Sequence, residues 1–296
     1  MDKKILQDAI SNFVKIIKLK NGDLACLSKH NKIIISKNLS IYKILEIEER
    51  ASDIVELDNE KLCVLQNGKL SIYNIKNYEL KKETKIKLNE NIFYYNLKSI
   101  STNKISLLSE RTELNLFLNI IEVRNYNLKK IKLLDFNYQA DLIQMDDLIV
   151  VCCDLLSSCK IFFYNIKNKS IQNIIINCKQ SYQKEVKCFK LNKNKILFST
   201  IHTGMIINVE TKQVETFFPG FKNIYCMEKI GKYLIVSSYD LLGQIDLKYG
   251  KLFNKYKPKF EVNKKYKYIK NIIPLENNKF CVLYDNDVGV IVFDFN

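Results

Sequence analysis

The chain has no tryptophan, three prolines, eight glycines, two histidines and three arginines (Arg50, Arg111, Arg124) in 296 residues. Each shortage removes a reading. The histidines are His30 and His202, and His202 in STIHTGM has no second histidine nearby to share a metal. No stretch approaches the roughly 18–20 uncharged apolar residues of a membrane helix. The longest apolar runs, DLIVVCC (147–153) and GVIVFDF (289–295), have the length of strands. The start, MDKKILQDAISNF, lacks the long apolar centre and small-residue cleavage site of a signal peptide. There is no P-loop and no dinucleotide fingerprint. The nine cysteines are odd in number and unevenly spaced, so they read as reduced thiols of a cytoplasmic protein, with the nucleus as the alternative compartment. In that setting the sequons at Asn38 and Asn168 carry little weight.

What is present is apolar residue and lysine. Apolar residues make up 47% of the chain, enough for a sizeable core, and the formal net charge is +15. Such a charge suits nucleic acid or an anionic membrane. Yet phosphate-gripping surfaces favour arginine, whose planar fork binds bidentately, and arginine is nearly absent here. Abundant Lys, Ile, Asn and Tyr point to compositional bias as the main source of the charge.

Nearly the same nine residues occur twice, KLSIYNIKN (69–77) and KIFFYNIKN (160–168). Weaker copies are KIIISKNLS (32–40), NIIEVRNYNL (119–128), MIINVETKQV (205–214), GQIDLKYGKL (243–252) and VGVIVFDFN (288–296). Aligned, they centre on Ile35, Tyr73, Ile121, Tyr164, Ile207, Ile245 and Phe293, with a mean spacing of about 43 residues. A second signal has the same period: a polar turn followed by a short β-type run. Its copies are NGDLACLS (21–28), NEKLCVLQ (59–66), TNKISLLS (102–109), MDDLIVVC (145–152), KNKILFST (193–200), GKYLIVSS (231–238) and NNKFCVLY (277–284). A further strand precedes each turn, and a more polar fourth follows, such as KKETKIKL (81–88) or QVETFFP (213–219).

Runs of 5–8 residues rich in Ile, Val, Leu, Tyr and Phe are strand chemistry. Asn-Gly at 21–22 and 67–68 suits tight hairpins in which both central residues take positive φ, and asparagine supplies the other turns. One four-stranded sheet cannot bury both faces alone, but seven packed radially can. The sequence therefore predicts an all-β fold, a single seven-bladed β-propeller over 1–296 with four-stranded antiparallel blades. The last unit ends at its third strand, so residues near KKILQDA (3–9) are expected to supply its outer strand and remove an open edge.

The third-strand copies resemble the WD40 repeat, whose hallmark is a strand ending in Trp-Asp before a turn. IYN (72–74) and FYN (163–165) stand at that ending, while FDF (293–295) and IDL (245–247) keep the aspartate without the tryptophan. VSSYDLLGQIDLKYGKL (236–252) is the most similar unit. The family's Gly-His dipeptide is missing, Gly220-Phe221 being its nearest remnant. The His/Asp/Ser/Trp network that the resemblance implies is therefore not expected, and apolar packing is expected to hold the blades.

Few residues suggest chemistry. In CCDLLSSC (152–159) the pair Cys152 and Cys153 is vicinal and strand alternation sends the two thiols to opposite faces, so Cys159 does not complete a zinc site. Cys26, Cys63, Cys188, Cys226 and Cys281 recur at strand positions and read as small core residues. Asp285, Asp287 and Gly289 make too short a stretch for a calcium loop. The Phe/Leu-Arg-Arg-Gly motif of phosphoinositide-binding propellers is absent. No enzyme activity and no cofactor are expected.

The most uneven stretch is 248–270, with nine lysines and one acid, Glu261, interleaved with aromatics. A solvated outer strand with aromatics under lysine stems is its plain reading. As a contact site it would use Lys257, Lys259, Lys264, Lys265 and Lys267 with Tyr256, Tyr266 and Tyr268. The second-to-third-strand hairpins at 29–31, 66–68, 202–204 and 285–287 form a second candidate surface, which includes His202. The function read from the sequence is a non-catalytic protein-interaction scaffold, monomeric alone and a subunit or adaptor of a larger assembly. Polyanion binding (RNA, DNA or anionic lipid) through 248–270 is the alternative.

Overall fold

The computed structural model describes residues 5–6, 13–38, 40–57, 60–76, 79, 81–101, 103–111, 114–136, 139–155, 158–177, 186–200, 203–219, 224–231, 233–238, 241–246, 251–256, 269–275, 279–284 and 290–294. Its strands form seven four-stranded antiparallel sheets among the described residues. They are divided between two compact units, Met1–Ala51 with Asn223–Asn296, and Ser52–Lys222.

In the first unit, β1 (Ile5–Leu6) is followed by the sheet β2 (Phe13–Lys18), β3 (Leu24–Ser28), β4 (Lys32–Lys37), β5 (Ser40–Glu46). The second unit holds four sheets in chain order. They are β6 (Ala51–Leu57), β7 (Lys61–Gln66), β8 (Lys69–Asn74), β9 (Lys81–Lys87); then β10 (Phe93–Ser101), β11 (Lys104–Arg111), β12 (Leu114–Glu122), β13 (Asn127–Phe136); then β14 (Gln139–Met145), β15 (Leu148–Asp154), β16 (Ser158–Asn165), β17 (Ile171–Asn177); and β18 (Lys187–Lys190), β19 (Lys195–Ser199), β20 (Thr203–Asn208), β21 (Gln213–Pro219). The first unit resumes with β22 (Ile224–Ile230), β23 (Tyr233–Ser238), β24 (Leu241–Asp246), β25 (Lys251–Tyr256), then β26 (Ile269–Pro274), β27 (Lys279–Tyr284) and β28 (Val290–Asp294).

The last sheet runs β1-β28-β27-β26, with Ile5 opposite Ile291 and Leu6 opposite Val290. The expected outer strand from the chain start is therefore present. All seven third-strand copies fall on third strands, and all seven turn-plus-run copies supply second strands.

Burial explains the composition of each strand. β3 is buried throughout, as are β7 and β8 apart from one end residue each, which is why these strands are mostly apolar. The fourth strands β5 and β17 are mostly exposed, which is why the fourth segment of each repeat is more polar. Within the second unit, Leu65, Leu70 and Ile72 pack with Leu97, Leu107 and Ile121 between the first two sheets. Leu118 and Ile120 pack with Val151, Phe162 and Tyr164 between the next two, and Cys152, Ile161 and Phe163 pack with Phe198 and Ile207 between the last two. In the first unit, Cys26 and Ile34 meet Ile273 and Cys281, while Cys226 and Ile235 meet Ile272 and Val282.

The turns use asparagine as expected: Asn31 and Asn38 take φ of 58° and 48°. The Asn-Gly hairpins differ from expectation. Only the glycines, Gly22 (φ 92°) and Gly68 (φ 62°), are left-handed, while Asn21 instead accepts the Asp23 amide through its side chain at 3.0 Å. A side-chain acceptor satisfies the turn without placing Asn21 in the left-handed region.

Candidate interaction surface

The repeated YN ending is built the same way in two sheets. Tyr73 and Tyr164 are buried, and the next residue closes the turn: Asn74 Oδ1 accepts the Lys76 amide at 2.8 Å, and Asn165 Oδ1 accepts those of Lys167 (2.9 Å) and Asn168 (3.1 Å). Asn208 does the same for Glu210 and Thr211. An asparagine carbonyl thus does what an aspartate does after a third strand. A buried phenol needs a partner, and the Tyr164 hydroxyl accepts from Lys129 Nζ at 2.8 Å.

A polar layer inside the sheets went unread in the sequence. Ser28, Gln66, Ser109 and Thr200 occupy the last position of their second-strand runs and are all buried. Ser28 Oγ accepts the His30 amide, Ser71 donates to Gln66 Oε1, and Asn119 Nδ2 donates to Ser109 Oγ at 2.8 Å. Likewise Ser237 Oγ accepts the Cys226 amide at 3.1 Å. Apolar packing dominates the cores, but these bonds add to it. The signal was legible, since several of the runs end in serine or threonine.

First strands also carry polar links between neighbouring sheets. Asp53 on β6 accepts the Leu97 amide of β10, Asn96 on β10 donates to the Ala140 carbonyl of β14 (3.2 Å), and Asp141 on β14 accepts the Cys188 amide of β18 (2.9 Å). In the first unit Asn271 on β26 donates to the Ile16 carbonyl of β2 at 2.9 Å. These side chains are committed to backbone groups.

The eight described cysteines are free and buried. Cys152 and Cys159 lie in the core on one side of their sheet and Cys153 in the core on the other, so the three thiols do not converge. Burial pushes the Cys281 thiol up to about 12 and raises Cys26, Cys63, Cys153 and Cys188 as well, which disfavours nucleophilic thiolate. Among the described residues no group of three His, Cys, Asp or Glu is placed to hold a metal. None contains a helix long and apolar enough to cross a membrane.

Of the predicted contact residues, Lys257, Lys259, Lys264, Lys265, Lys267, Tyr266, Tyr268 and His202 lie outside the described residues, as does the turn at 285–287. Tyr256 ends β25, its backbone opposite Leu242. The hairpins at 29–31 and 66–68 are present as turns between second and third strands. The structure draws attention elsewhere, to the outer strands of the second unit. Leu128, Ile171 and Ile175 are exposed there, as is Tyr126 in the turn before β13, and β13 carries Lys129, Lys130 and Lys132. Lysine heads rest on aromatic faces: Lys130 Nζ lies 3.9 Å from the Phe117 ring centre, Lys129 5.1 Å from Tyr164 and Lys160 5.0 Å from Phe162. Aromatics under lysines, the plain reading of 248–270, thus occur on β12, β13 and β16.

No family model and no curated protein matches the sequence. Among solved structures the chain is similar to BamB from Moraxella catarrhalis, at 11% identity and TM-score 0.62, over 94% of this chain and 83% of that one. It is similar to the Dos1 propeller at 12% identity and TM-score 0.67, over 95% and 78%. It is also similar to the AfRom2 CNH domain at 12% identity and TM-score 0.62, over the full length of both. The class of protein is therefore an all-β propeller with four-stranded antiparallel blades. At these identities the likeness defines the fold and not the activity.

Proposed function

We propose that this chain is a non-catalytic protein-interaction scaffold, a single seven-bladed propeller of WD40-like type serving as a subunit or adaptor of a larger intracellular assembly. The observation that carries this reading is the outer surface of residues 52–222, where large apolar side chains stand exposed among lysines. Such mixtures of apolar anchors and charge are how surfaces dock partners. The interior supports it: the polar groups traced there bind backbone or one another, and the described thiols are buried in apolar cores.

The test is capture from native lysate with tagged protein at low and high salt, with nuclease controls. Stoichiometric partners that survive both treatments are expected. Recovery that disappears with nuclease or salt would replace this reading with polyanion binding, for which the +15 charge is the motive. Lys→Glu at 257, 259, 264, 265 and 267 would then abolish recovery.

A further inference from the structure

β17 lacks the devices that blunt the other outer strands. Third and fourth strands pair with a register shift in five sheets, at Ile35/Ser36, Ile72/Tyr73, Leu116/Phe117, Ile206/Ile207 and Gln244/Ile245. β16 and β17 instead pair without interruption from Ser158↔Asn177 to Tyr164↔Ile171. β5, β9, β13, β21 and β25 all contain charged residues, and β1 spans two of the described residues. β17 reads IQNIIIN, with neither charge nor proline. Bulges, charges, prolines and shortness are what keep sheet edges from recruiting another strand.

The side chains of β17 divide by face. Ile174 and Ile176 pack onto the buried core. The opposite face carries Ile171, Asn173 and Ile175, with Ile171 42% and Ile175 62% exposed. Across the ladder stand Tyr164, Phe162 and Lys160. Lys160 lies over Phe162 beside Ile175, and Lys129 over Tyr164 beside Ile171, so each end of the apolar strip has a lysine. Neither β16 nor β17 contains an acid.

We propose that β17 is a docking strand, to which an extended segment of a partner protein adds as a fifth strand. Its aliphatic side chains cover Ile171 and Ile175, and its carboxylates meet Lys129 and Lys160. Backbone pairing supplies affinity in this mode and alternate side chains supply specificity. A second copy of this chain fits poorly, because two molecules of net charge +15 would bring their lysines together. The proposal rests on the scaffold reading above and names its partner's chemistry.

The test is selection of a displayed library of random ten-residue peptides on the full chain and, in parallel, on Ile175→Lys, with folding checked by thermal melting. Enriched peptides are expected to alternate aliphatic residues with Asp or Glu and to bind wild type at least ~10-fold tighter than the variant. They are expected to slow amide exchange across β17 and to lose at least ~10-fold in affinity when alternate backbone nitrogens are methylated. If Ile175→Lys melts early, Ile175→Thr replaces it, keeping a β-forming residue while removing the apolar surface. No enrichment, or binding indifferent to the variant and to methylation, overturns the proposal. So does a 20-nucleotide oligouridylate that binds through Lys129 and Lys160 without need of Ile175. Lysate capture that is robust and identical for wild type and Ile175→Lys leaves the scaffold reading standing and removes β17 from it.

Discussion

Asp53 joins two sheets of one unit: its Oδ2 accepts the Leu97 amide at 2.8 Å, while its Oδ1 accepts the amide of Ile54, its own neighbour. The reach of 44 residues matches the repeat period, and Asp141 makes the same kind of link to Cys188 one repeat pair later. Asp53 is buried, so removing the acceptor leaves an unsatisfied amide in the core. Asp53→Ala is expected to cost about 2–3 kcal/mol in chemical denaturation, with Asp53→Asn recovering about half. Equal stability of the alanine variant would show that the link is incidental.

Gly68 takes φ +62°, and a Cβ there would stand 2.6 Å from Glu90 Cγ and 3.1 Å from Glu90 Cα. Gly68→Ala therefore combines backbone strain with a clash. Gly231 has a similar φ of +60° but open space around its Cβ. Gly68→Ala is expected to destabilise by roughly 2 kcal/mol and Gly231→Ala by about 1 kcal/mol. Matching losses would mean that Glu90 moves aside at no cost.

Asn165 bridges two turn amides, an arrangement equally open to a carboxylate. Asn165→Asp is expected to be neutral within about 0.5 kcal/mol, and Asn165→Ala to lose about 1 kcal/mol. A large loss for aspartate, read from the urea midpoint, would refute the equivalence drawn with the WD40 strand ending.

The buried thiols make a pH prediction. The folded Cys281 thiol is raised from 9.0 to about 12 by burial, so between those values the unfolded chain releases a proton that the folded chain keeps. Stability is full below about pH 9 and falls as pH rises above it. Denaturation monitored at pH 8, 9, 10 and 11 should show this decline. Iodoacetamide at pH 8 should label Cys178 at most in native protein and all nine cysteines in denaturant. Fast native labelling of Cys26, Cys63 or Cys281 would contradict their burial.

Much of this was legible in the sequence, because strand position is written in local runs. Leu62-Cys63-Val64-Leu65 reads as a strand buried on both faces before any neighbour is known, and the period locates its counterparts. Ser28 and Ser109 were equally visible, but a serine ending a run looks like a turn residue until the strand is seen to be buried. The link from Asp53 to Leu97 was hidden, since its partner lies a full repeat away. The uninterrupted ladder of β17 was hidden for the same reason: a bulge belongs to a pair of strands, not to one. IQNIIIN was on the page, yet its absence of charge attracts less notice than nine lysines in 248–270.

The pairing of Ile5 with Ile291 sets a schedule for the growing chain. Ribosomes add about 5–20 residues each second, so the first strand must wait for tens of seconds before its partner exists. Until then β1 has no place in a sheet, and the last sheet cannot be completed by any earlier part of the molecule. Emergence of the segment around Ile291, rather than collapse of the first repeats, becomes the moment at which this sheet acquires its final edge.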